Sequence, residues 1–233
     1  MKKLIVILTA LCLLLSGCAS AQGGEAAALN GNESPAAAGE QETAAAVQPE
    51  ASQRISPLPD NTMENLTDAI LSVSLEEGDA YVDDKGRMQM ELKIYTYDKY
   101  DMVDIARLQP GDVLVRHSGE VEVISKEQGE TGTVYINGGL ENGGFDLVTD
   151  DCGIFYEAGP NDAKSWYEIG EATIRVSADF RGVDNADPEQ AGLVLYPGDF
   201  LIGAVTNYNF TPYNTTVRVA DGQIVEMERV YIP

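Results

Sequence analysis

From about Asn61 onward apolar residues return at every second position, and this period of two restricts the fold more than any other feature. Leu71, Val73 and Leu75 alternate with Ser72 and Ser74; Met88, Met90, Leu92 and Ile94 alternate with Gln89, Glu91 and Lys93. Successive side chains of a strand point to opposite faces, so the pattern buries one face and leaves the other wet, whereas a helix needs a period near 3.6. Shorter stretches of strand character follow at 113–116, 121–125, 134–137, 145–148, 154–157, 172–178, 193–196 and 200–205. "DDKGR" (83–87) suits a hairpin connection, and Asp221-Gly222 favours a type I′ turn between the last two strands. One short helix is expected, from Met102 to Leu108, with Asp101 at its start and Pro110 stopping it. Many short strands and little helix predict an all-β domain over 61–233, either an antiparallel sandwich or a partly open barrel.

The pattern Leu-x-Pro-Gly-Asp-x-Leu occurs twice, as "LQPGDVL" from Leu108 and "LYPGDFL" from Leu195. Proline presets φ for the second position of a turn and glycine supplies the positive φ of the third, so a type II turn opening a strand is expected at each. The pentapeptide resembles the turn that opens strands in signal-peptidase-like folds. The Ser–Lys chemistry of those enzymes has no counterpart here, so the motif is read as a turn rather than a site.

At the other end, Lys2 and Lys3 precede the apolar run "LIVILTALCLLL" (4–15), too short to span a bilayer as a mature helix. It leads into "LSGC" (15–18). Positive n-region, apolar h-region and this box together resemble the signal peptide of bacterial lipoproteins. The resemblance covers only residues 1–18 and implies removal of residues 1–17 and lipidation of Cys18. Two or three acyl chains there anchor a protein stably to a membrane. It also implies a location on the extracytoplasmic side of a bacterial cell membrane. Residues 18–60, with three Ala triplets, scattered Glu, Gly and Gln and no aromatic residue, read as a lipidated cysteine and a disordered linker. The 42 residues after Cys18 have an r.m.s. span of roughly 35 Å as a coil.

Cys12 leaves with such a signal and Cys18 is capped, so Cys152 is the one remaining thiol and no intramolecular disulfide is expected. Residues 61–233 hold 12 Lys and Arg against 32 Asp and Glu, a net charge of −20. Such a surface repels the phosphates of nucleic acid, which excludes that class of partner.

Four groups of residues can be asked for chemistry. Cys152 and His117 are alone of their kinds in the mature chain and would have to form any thiol–imidazole pair, although no family signature surrounds either residue. "DFRGVDNADPEQAG" gathers Asp179, Asp184, Asn185, Asp187 and Glu189 in what reads as one loop, and oxygen ligands of this kind suit calcium; Asp184, Asp187 and Glu189 are the candidate ligands. "NYNFTPYN" (207–214) concentrates Tyr208, Phe210 and Tyr213 among asparagines, a composition that suits sugar rings or peptide backbones unless the rings fold back to plug the domain. "KSWYE" (164–168), with Trp166 and Tyr167, forms either a second wall of a ligand surface or part of the core. The leading expectation is a lipid-anchored, non-enzymatic binding domain for a glycan or envelope protein. The alternatives are a secreted hydrolase using carboxylates or Cys152 and His117, and a structural domain stabilised by calcium.

Overall fold

The computed structural model describes residues 52–205 and 208–232. The expected signal, the expected lipidation position Cys18 and most of the expected linker lie outside these residues. In chain order the elements are β1 (Arg54–Ile55), β2 (Ala69–Ser74), β3 (Ala80–Val82) and β4 (Met88–Thr96). Then come β5 (Lys99–Tyr100), α1 (Met102–Arg107), β6 (Val113–Arg116), β7 (Gly119–Glu122), β8 (Lys126–Gln128), β9 (Val134–Ile136), β10 (Phe145–Thr149) and β11 (Phe155–Ala158). The chain closes with β12 (Tyr167–Asn185), β13 (Leu193–Leu195), α2 (Pro197–Leu201), β14 (Thr215–Ala220) and β15 (Gln223–Val230). The expected all-β class is what the chain adopts.

A seven-stranded sheet has the order β13-β12-β15-β14-β2-β4-β3, and an additional pairing of β12 with β4 closes five of these strands into a partial barrel. The closure depends on the length of β12. Its first half runs antiparallel to β4, from Tyr167↔Thr96 to Arg175↔Gln89. From Arg175 to Asn185 it runs parallel to β15, across a register irregularity between Val176 and Arg181, and Gly182 to Asp184 also run antiparallel to β13. A bulge of this kind bends a strand, which lets one element serve both sides of the closure. Inward residues sit at even positions along β12, with Ile174, Val176, Phe180, Gly182 and Asp184 all buried. They meet Leu71 and Val73 of β2, Leu92 and Ile94 of β4, Val217 and Val219 of β14, and Ile224 and Met227 of β15 in one apolar core.

Residues 97–166 are an insertion between two paired strands. They build a five-stranded sheet, β5-β11-β10-β9-β8, beside a three-stranded sheet, β1-β6-β7. A second core lies between these sheets and α1, formed by Ile105, Leu108, Leu114, Ile136, Leu147 and neighbouring residues. The last residues of the expected linker belong to this part of the fold. β1 runs parallel to β6, and Ile55 is buried in the second core.

The expected turns mostly hold. Asp221 and Gly222 both have positive φ, as a type I′ turn requires. The side chain of Asp101 accepts the N–H of Val103 at the start of α1. At the other end the Lys126 ammonium donates to the carbonyls of Ile105, Ala106 and Leu108.

The two Leu-x-Pro-Gly-Asp copies part company. At the first, Gly111 has φ of 96° and Asp112 N–H closes a turn on Gln109 O. At the second, Pro197 opens α2 in place of the expected turn and the strand expected over 200–205. Proline is preorganised for the first helical position and its missing N–H costs nothing there. The aspartate acts alike in both copies, reaching back three residues to accept a backbone N–H: Gln109 to Asp112 Oδ2 at 2.8 Å, and Tyr196 to Asp199 Oδ2 at 2.7 Å.

Candidate functional site

The parallel register of β12 and β15 sets Asp184 directly beside Arg229. Both are buried, at 7% and 3% exposure. The guanidinium grips the carboxylate with two nitrogens; Nε donates to Oδ1 at 2.9 Å and a terminal nitrogen donates to Oδ2. Its other surface lies over the ring of Phe210, 4.4 Å from the centroid. Burial pushes the Asp184 carboxyl up, but Arg229 and the Ala186 N–H outweigh it and hold the group below the usual carboxylate range. A fork of this kind fixes both partners' orientation as well as their charge.

Two clefts open around this pair, and both are lined by Ala186 and Arg229. The smaller, about 250 Å³, has Asp187, Pro188, Gln190 and Leu193 on its walls. The larger, about 450 Å³, is lined by Asn209, Thr211, Tyr213, Asn214, Tyr231 and Ile232. The acidic segment and the aromatic segment, separate in the sequence, therefore meet at one place.

Within that place the expected residues divide. Phe210 is buried, packs on Phe200 and belongs to the barrel core. Tyr208 is half-buried against Phe210 at 5.2 Å, and its buried hydroxyl has no hydrogen-bond partner among the described residues. Burial, together with Glu77 and Asp79, raises the pKa of that phenol. These two rings plug the barrel, whereas Tyr213 is 52% exposed. Asn214 holds the loop that presents it: its Oδ1 accepts from Thr211 N–H, Thr211 Oγ1 and Thr215 Oγ1, and its Nδ2 donates to Asn209 O. Tyr231, equally exposed, faces the same cleft. The residues around Arg229, Tyr231 and Ile232 escape sequence reasoning, because alternation identifies "QIVEMERV" as a strand and says nothing of what its last side chains face.

The acidic segment is not one loop. Asp179, Asp184 and Asn185 belong to β12. Asp187 begins the turn at Pro188–Gln190, where its Oδ1 accepts Glu189 N–H and its Oδ2 accepts Gln190 Nε2. Asn185 Oδ1 takes Gly192 N–H. Glu189 is exposed. Among the described residues no group of three or more His, Cys, Asp or Glu side chains is placed to hold a metal ion.

Cys152 and His117 have different neighbours. Cys152 is exposed in a turn whose Asp150 accepts the N–H of Cys152 and of Ile154. His117 Nδ1 lies 3.2 Å from Asp98 Oδ2, and its ring stacks on Tyr167 at 3.9 Å. Tyr167 donates to the other oxygen of Asp98, and burial together with Asp98 raises its pKa. This cluster ties the start of β12 to the β6–β7 turn. No hydrogen bond joins Cys152 to His117 among the described residues. Nor is any described helix long and apolar enough to cross a membrane. No family model matches the chain, and neither a curated protein nor a solved structure matches it.

Proposed function

We propose that this chain is a lipid-anchored, extracytoplasmic binding domain without catalytic activity, and that it holds a segment of an envelope or extracellular glycan in the larger cleft beside Arg229. One observation carries the reading: Tyr213 and Tyr231, each half exposed, line a single cleft together with Arg229, which Asp184 holds in place. Its volume falls within the roughly 300–1,000 Å³ usual for small-ligand sites. Rings of this kind offer flat apolar faces with a polar tip, and a loop already ordered by Asn214 loses little entropy on binding. The anchor rests on the residues around Cys18, and the mature protein is expected to carry acyl chains there.

The test is binding of the full chain to polysaccharide isolated from a bacterial envelope, compared with Tyr213→Ala and Tyr231→Ala. Each substitution should weaken binding about tenfold, the equivalent of ~1.4 kcal/mol, with the thermal midpoint unchanged. Unchanged binding in both variants would overturn the reading. Phe210→Ala is uninformative here, because it empties a core position at about 3–5 kcal/mol.

A further inference from the structure

Another cleft, of about 220 Å³, lies where the insertion leaves the barrel, with Ile70, Tyr95, Tyr97, Lys99, Lys164 and Trp166 on its walls. The β4–β12 ladder brings these residues together. Thr96 and Tyr167 are register partners, so the segments on either side of them, 97–99 and 164–166, leave the ladder opposite one another. Tyr97 is the centre of the cluster. Trp166 meets it edge-to-face at 4.8 Å and Tyr156 at 5.8 Å. The Lys164 ammonium stands 4.4 Å from the Tyr97 centroid, 5.5 Å from that of Tyr156 and 5.8 Å from that of Trp166. The Lys99 ammonium is also over Tyr97, at 4.9 Å.

Arg54, Arg87, Arg116, Arg218 and Arg229 are each paired with a carboxylate. Lys164 makes no ion pair among the described residues and is held by aromatic faces alone. Lys99 is 3.9 Å from Asp60, whose carboxylate already accepts from the Thr96 hydroxyl and the Thr62 N–H. On a domain of net charge −20, one ammonium group lies over three aromatic rings and a second over the central one of them.

From this we infer that the cleft binds an acidic sugar residue, a hexuronate unit of an anionic glycan. The carboxylate meets the Lys164 ammonium, with Lys99 beside it, and the C–H face of the ring lies along Trp166 and Ile70. The volume admits one ring rather than a whole oligosaccharide. A cationic ligand is disfavoured, because Lys164 already occupies the position a cation would take over the rings. A bare inorganic anion would leave the aromatic wall unused. The inference does not depend on the Tyr213 cleft.

Trp166 is the chain's only tryptophan, so intrinsic indole emission reports on this cleft alone. The experiment is a fluorescence titration of the full chain with trigalacturonate, and with maltotriose as the uncharged counterpart. A saturable change with trigalacturonate, absent with maltotriose and weakened at least tenfold in Lys164→Gln, is expected; Tyr213→Ala should respond like the parent chain. Near-ultraviolet circular dichroism verifies that Lys164→Gln is folded, and Lys99→Gln provides the same comparison if it is not. No saturable change with trigalacturonate, an equal change with maltotriose, or full retention in the folded lysine variants would overturn the inference. Because the Tyr213 cleft contains no tryptophan, failure here leaves the reading of that cleft standing.

Discussion

At the scale of single residues, the buried Asp184–Arg229 pair has a large energetic consequence. Removing one partner of a buried ion pair strands the other, so Asp184→Asn should cost about 3–5 kcal/mol in urea unfolding, whereas the double variant Asp184→Leu with Arg229→Met should recover most of the loss. The pH dependence has a definite sign. The folded carboxyl titrates below its unfolded value, near 3.9, so the stabilisation is complete above about pH 4 and disappears as pH falls through the folded pKa. Stability of the parent chain should therefore drop as pH falls below about 4, and Asp184→Asn should flatten part of that slope. Such a pair is hard to see in a sequence. Asp184 occupies an even, inward position of β12, in step with Ile174, Val176 and Phe180, but the surrounding "DFRGVDNADPE" contains so many carboxylates that it reads as a solvated loop. What distinguishes Asp184 is its partner 45 residues away, and only the fold supplies that. Phe210 and Tyr213 pose the same difficulty: both are aromatics of one segment, and the barrel's open end decides which of them it takes in.

At the scale of elements, the repeated Leu-x-Pro-Gly-Asp shows one local interaction serving two structures. The carboxylate that reaches back three residues fits both a type II turn and the first turn of a helix, so the pentapeptide alone cannot choose between them. The glycine records the choice. Gly111→Ala should cost about 1–2 kcal/mol, because φ of 96° is uncomfortable for any side chain. Gly198 has ordinary helical backbone and open space where a Cβ would stand, so Gly198→Ala should leave stability unchanged or raise it by up to ~1 kcal/mol. Paired thermal melts of the two variants check this. Strands whose alternation is regular, such as β2, β4 and the β14–β15 hairpin, are legible because one buried and one wet face write their period directly into the residues. For β12 the alternation marks only 172–178, because the exposed Ala178 and Asp179 at its bend interrupt the apolar rhythm while the backbone continues. The length of that one strand, and hence the closure of the barrel, is the largest feature the pattern conceals.

At the scale of the whole molecule, the barrel and the insertion have cores with no residue in common. Thr96 and Tyr167 already face each other across a ladder, so the insertion departs and returns at one spot. Replacing residues 97–166 with an Asn-Gly turn should give a barrel that still unfolds cooperatively, as followed by circular dichroism. A product lacking a cooperative transition would show that the insertion is needed for the barrel to fold. This modularity is invisible in the sequence, where strand follows strand with no change of composition at either junction. β1 adds a consequence for any chain held at its N-terminal end. The first contacts of the described residues, Ile55 in the second core and Gln53 N–H on Asp112, are all made to the insertion. Tension applied at the N-terminal end of the described residues therefore loads the insertion first, and the segments bearing Tyr213 and Tyr231, which flank β14 and β15, lie outside it. Of the two clefts proposed to hold a ligand, the one at Tyr213 therefore lies outside the part that is pulled first, and the one at Trp166 lies within it.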